Sequence, residues 1–172
     1  MKTVFDTSAL ISLETVELLS HAMKISEIIV TEEIKTELES MSLFADKEGQ
    51  AAQRVLEKIR DKKILVEKSN PNTLLISSSN VHSGEKSAFA YCVEKNVQVF
   101  VCDDIDAGAT LEELSAKHGI KIKLSVAVIV ELVKANLISK TSAFKAVKQM
   151  AKIREWEGGA LEYLAEKHLK QI

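Results

Sequence analysis

Proline occurs once in the 172 residues, at Pro71, and cysteine only twice, at Cys92 and Cys102. With 46% hydrophobic and 28% charged residues, so little proline argues against both a disordered chain and a fibrous repeat. Two cysteines make no disulfide framework, and no His/Cys cluster of zinc-site spacing accompanies them, so both are expected to be reduced core residues. Long apolar runs are missing as well. The longest, LSVAVIV at 124–130, is cut by Glu131 and is too short to cross a bilayer. A strand pattern begins at once at the N-terminus without a signal-like segment, which predicts a cytoplasmic protein with no membrane partner. The length suits one compact unit with a sizeable core, and neither an internal repeat nor a low-complexity tract interrupts it.

What is present is a repeated change of hydrophobic period. TVF at 3–5, EIIV at 27–30, KILVEK at 63–68, VQVFV at 97–101 and IKIKL at 120–124 read as strands, the third near a sheet edge. Between them, 10–23, 31–41, 46–62, a helix N-capped by Ser83 and 106–118 read as helices, and SNPNT at 69–73 breaks the chain. Helices continue to the end, interrupted by the glycines at 158–159. Strands alternating with helices imply parallel pairing through right-handed crossovers, and so an α/β fold: a three-layer α/β/α sandwich with a mainly parallel sheet of about five strands.

In such folds ligands collect beyond the carboxyl ends of the strands, and acidic residues fall there. Asp6 ends the first strand, and Asp103, Asp104 and Asp106 follow the apolar VFVC. Asp6 before Thr7 and Ser8 also suits a helix cap. Two glutamates join them by helix geometry. From Glu85, the apolar Ala88, Phe89, Cys92 and Val93 follow at helical spacing, so Glu85 starts a core-facing stripe. An acid in a first turn also favours the helix dipole, but that effect does not require the inward face. Glu37 lies roughly 65° from the centre of the Ile34, Leu38 and Met41 stripe, at its rim, and Glu33 is a weaker candidate at roughly 107°.

Carboxylates gathered at one sheet edge raise one another's pKa unless a cation compensates. Oxygen ligands without a His/Cys set favour Mg²⁺ or Mn²⁺, which retains waters and binds phosphates. The chemistry that suits such a group is phosphodiester hydrolysis. Residues 117–154 carry nine Lys/Arg against one acid, Glu131, which fits either a polyanion-facing surface or a solvated helix face.

VFDTSALISL, the Glu of EIKTEL, GEKSAFAYC, VFVCDD and HGIKIKLSVAVIVELVKANLI, in this order and spacing, resemble the PIN-domain nucleases. The similarity covers roughly residues 2–140, especially to a prokaryotic subgroup with a Gly-Glu helix start and a paired Asp. It implies a nuclease domain over 1–140, with 141–172 a helical extension packed on the same domain. It further implies metal binding and catalysis by Asp6, Glu37, Glu85, Asp103 and Asp104, with Asp104 the first choice of the pair, two residues after Cys102. The implied activity is Mg²⁺- or Mn²⁺-dependent cleavage of RNA, often as the VapC-like toxin of a toxin–antitoxin pair, with an antitoxin protein or a second copy of the chain as partner. Relatives commonly carry a basic residue a few positions after the paired Asp, where this chain has Gly108. In the tail, Trp156 and the stripe Phe144, Val147, Met150 and Ala151 fit a core, an antitoxin groove or a dimer surface.

Other acid-bearing folds fit less well. A haloacid-dehalogenase-type phosphotransferase needs Asp where Ser8 stands, a DxSxS adhesion site fails at Leu10, and a receiver domain places its paired acids on the first strand. The rivals that survive are a non-catalytic PIN-like module that holds RNA or protein and a non-toxin RNA-processing nuclease.

Overall fold

The computed structural model describes residues 1–70 and 81–172. The chain break read at 69–73 lies mostly outside them. The first half runs β1 (Lys2–Phe5), α1 (Thr7–Thr15), α2 (Leu19–Ile25), β2 (Glu27–Thr31), α3 (Glu32–Met41), α4 (Lys47–Arg60) and β3 (Leu65–Glu67). The second runs α5 (Ser83–Lys95), β4 (Val99–Val101), α6 (Ile105–His118), β5 (Lys121–Lys123), α7 (Ser125–Lys134), α8 (Lys140–Ile153) and α9 (Ala160–Lys170).

Among the described residues every strand pairing is parallel, and the five strands lie in the order β3-β2-β1-β4-β5. The fold is α/β, as the period changes predict, and β3 lies at an edge. Successive strand residues face opposite sides of a sheet, yet Val4, Phe5, Ile28, Ile29, Val30, Val99, Phe100 and Val101 are all buried. Helices therefore cover both faces, which is why the central strands read as unbroken apolar runs. At the sheet centre Phe89 of α5 meets Phe100 of β4 edge-on, with ring centroids 6.2 Å apart.

The chain leaves β1 toward β2 on one side, and β4 and β5 extend the sheet on the other. Between β1 and β4 lies a topological switch point, where loops part and leave a crevice at the strand carboxyl ends. Register places the two loops side by side: Val4 pairs with Phe100, Phe5 with Val101, and the Asp6 N–H donates to the Val101 carbonyl at 3.0 Å.

Two local readings change. The helix expected over 10–23 is two helices. Glu17 adopts a left-handed φ of 60°, and the Leu18 N–H donates to the Leu13 carbonyl at 2.9 Å while Glu17 donates to Glu14 at 3.0 Å. These bonds form a Schellman ending, which the sequence conceals because glycine is not used and Leu18 and Leu19 continue the apolar spacing. The cap of α5 is His82 rather than Ser83, which is already helical. In the tail, Val147, Met150 and Ala151 are buried and Phe144 and Trp156 pack against the core; Gly159 caps α9.

Truncating Phe100 to Ala should cost about 3–5 kcal/mol, because the ring is fully buried between central elements. Urea unfolding would show it, and a loss below about 1 kcal/mol would contradict this packing.

Candidate metal centre

Each candidate acid is placed by an element end. Asp6 follows β1 and caps α1: the Ala9 N–H donates to Oδ1 at 2.7 Å and the Ser8 hydroxyl to Oδ2 at 2.9 Å. Asp104 follows β4 and caps α6, its Oδ1 accepting from the Ala107 N–H at 2.9 Å. Capping and site membership thus coincide at both residues. Glu85 stands in the first turn of α5, only 8% exposed, and accepts from the His82 N–H at 2.7 Å. Glu37 sits on the rim face of α3, where the Thr7 hydroxyl donates to Oε2.

Gly84 leaves room for the Glu37 carboxylate of α3 against the start of α5. A Cβ at this position would stand 2.5 Å from Glu37 Oε1, so only glycine leaves the carboxylate its place. The Gly-Glu pair therefore does two things: Gly84 admits Glu37 and Glu85 adds its own acid.

Asp6, Glu37, Glu85 and Asp104 line one open cavity of about 540 Å³. Asp103 does not line it. Its side chain turns beneath the site, where Oδ1 accepts from the Ser125 N–H at the start of α7 at 2.7 Å and Oδ2 is buried with no hydrogen-bond partner among the described residues. Glu33 does not line the cavity either. The sequence reading missed Thr7, Glu48, His82 and Arg154, all of which face this space. Glu48 and Arg154 carry no local pattern, since α4 and α8 meet only in the fold.

Electrostatics show the strain of collecting these acids. Burial, and then the charge of Asp103, push the Asp6 carboxyl up to about 7, against the stabilising Ala9 N–H. Burial likewise raises Glu85, with Asp104 and Glu37 adding to it, and raises Asp103 against the Ser125 N–H. Asp6, Glu85 and Cys102 each offer a ligand atom within 4.8 Å of the others, so this buried group could hold a metal ion. Cys102 is the least suited donor for a hard cation: its sulfur is soft, and burial and neighbouring Asp6 push its thiol far up. The chemistry of the donors is that of carboxylate oxygens in need of positive charge.

A family model described as PIN domain matches residues 2–160. The chain belongs to the PIN-domain family, with its nuclease-like fold, and the match runs through α8. No curated protein and no solved structure matches it. Among the described residues no helix is long and apolar enough to cross a membrane.

Because the Asp6 carboxyl titrates near 7 when folded and near 3.8 ordinarily, the folded protein holds more protons than the unfolded chain between those values. Metal-free stability must then fall as pH rises through that window. Asp6→Asn removes this cost and keeps a capping oxygen, so at pH 8 the variant should be more stable by up to roughly 4 kcal/mol, and near pH 4 the two should agree within about 1 kcal/mol. Equal urea midpoints at pH 8 would contradict the burial of charge. Gly84→Ala should leave the melting temperature nearly unchanged, since alanine favours the helix and the clashing group is the mobile end of a side chain. Its crystal structure should show Glu37 released from Thr7; a carboxylate still in place would refute the close approach.

Proposed function

We propose that this protein is a metal-dependent endoribonuclease, hydrolysing RNA phosphodiester bonds with Mg²⁺ or Mn²⁺ held by Asp6, Glu37, Glu85 and Asp104. The observation that carries the reading is the convergence of these carboxylates, from four separate elements, on one cavity at the switch point of a PIN-domain sheet. When bound, such an ion lowers the pKa of an attacking water and offsets the charge that develops on the phosphate oxygens.

The chain's own residues supply the rigidity. Backbone N–H groups of Ala9, Ala107 and His82 hold Asp6, Asp104 and Glu85, and Thr7 holds Glu37, each by one carboxylate oxygen. Asp103 acts from below: its charge keeps the proton affinity of Asp6 high and so favours a neighbouring cation. Oxygen-only coordination and an open cavity suit an ion that keeps waters and meets a phosphate. The toxin role implied by the resemblance adds an antitoxin as partner. Leu43 and Phe44, exposed just after the cavity-lining Ser40 and Met41, would give it apolar surface to cover.

Asp6→Asn should lower RNA cleavage in Mn²⁺ or Mg²⁺ about 100-fold or more, and chelation should abolish it. Calorimetry should show Mn²⁺ uptake by the parent chain and little by the variant. Cleavage that survives both treatments would defeat the proposal, and RNA binding that needs neither metal nor Asp6, without cleavage, would favour the binding-module reading.

A further inference from the structure

The cavity is lined by five carboxylates, those of Asp6, Glu37, Glu48, Glu85 and Asp104, and a polyanionic strand must enter it. Among the described lining residues Arg154 is the sole Lys or Arg. We propose that Arg154 is the strand-gripping residue of this site, its guanidinium taking a phosphate of single-stranded RNA in exchange for Glu48. The proposal rests on the nuclease reading and names a substrate contact within it.

Several observations place the guanidinium for this task. Arg154 ends α8, and its backbone is fixed by the turn that follows: Glu155 has a left-handed φ of 57°, and the Trp156 N–H donates to the Ala151 carbonyl at 2.7 Å. The side chain is 15% exposed, with Nη1 on Glu48 Oε1 and the guanidinium carbon 5.6 Å from the centre of the Trp156 ring. Nε is buried without a hydrogen-bond partner among the described residues, which leaves a donor of the planar fork unused by them. The cation is close enough to lower the proton affinity of buried Asp103, which sets it beside the acids rather than on a remote face.

The Arg154–Glu48 pair also stands where two hollows meet. Both residues line the acidic cavity, and both line a second groove of about 450 Å³ with Asp46, Lys47, Ile153 and Glu155. A strand running from one hollow to the next passes the guanidinium. A planar, always-charged fork suits bidentate capture of a phosphate, and Glu48 holds it in place until one arrives. The competing role is structural: the same pair ties α8 to α4.

Binding separates the two roles. A fluorescein-labelled single-stranded RNA of roughly 20 nucleotides and mixed sequence is titrated, by anisotropy across a salt series, against the non-cutting Asp6→Asn chain. Adding Arg154→Gln should weaken binding about tenfold and flatten the plot of log affinity against log salt by about 0.7, the loss of one phosphate contact. Arg154→Lys should restore part of both. Glu48→Gln, which frees the guanidinium, should bind as tightly as its parent or more so. Unchanged affinity and slope in Arg154→Gln overturn the proposal, as does Glu48→Gln weakening binding as much as Arg154→Gln, which would mark a brace between helices. Should Arg154→Gln fail to fold, Arg154→Lys and Glu48→Gln still decide. An otherwise unsubstituted chain that cuts and binds no RNA overturns this proposal and the nuclease reading together; cleavage by Arg154→Gln with an unchanged KM overturns this one alone.

Discussion

Like charge held at the mouth of a buried sheet is the constraint on which the rest of this molecule depends. Asp6, Glu85 and Asp103 are each nearly excluded from water, and Glu37 and Asp104 stand close by. A carboxylate so placed is tolerated only if dipoles and donors are already aimed at it. The fold meets that demand with helix starts: α1, α5 and α6 begin at the site, and Ser125 at the start of α7 answers Asp103. Those donors do not offset the cost of burying the charge, and the raised proton affinities of Asp6, Glu85 and Asp103 are what is left over. That residue of unbalanced charge is the physical reason the site could hold a cation.

The same demand shapes features that look unrelated. All-parallel pairing with a switch between β1 and β4 puts two strand ends, and therefore two caps, next to each other. Gly84 lets the Glu37 carboxylate of α3 approach the start of α5 and join them. Thr31 and Ser87, whose hydroxyls meet at 2.5 Å in the buried space between β2 and α5, fix that approach from the other end. A second buried acid, Glu14, is handled differently: Arg54 and Lys58 of α4 pair with it at 3.0 and 2.9 Å, so its charge is answered by side chains and serves to dock α4 on α1. The contrast between Glu14, supplied with cations by the chain, and Asp6, left without one among the described residues, separates a structural acid from a candidate ligand.

Much of the fold was legible because the signals were local. Unbroken apolar runs marked β1, β2 and β4, and acids at their ends marked Asp6 and Asp104. Helical phase alone put Glu85 inside and Glu37 at the rim, where the structure has them. Asp103 and Asp104 could not be told apart by such signals: they are neighbours on one loop, and only the position of α7 decides that Asp103 turns under the sheet edge to Ser125. Arg154 was hidden for a related reason, since it was one of nine basic residues in its stretch and its distinction is a cavity wall built by a helix a hundred residues earlier. The break after α1 was missed because the cue sought at helix ends, glycine, is not what this chain uses there.

That habit recurs. Glu17, Lys62, Asn96, Asn136 and Glu155 all occupy left-handed backbone at the close of a helix, where a β-carbon is crowded. Each is a small reserve of conformational tension that glycine would relieve. Glu17, Lys62, Asn96 and Asn136 are not among the residues lining the cavity, so the protein could be hardened against heat at its seams while its chemistry is left alone.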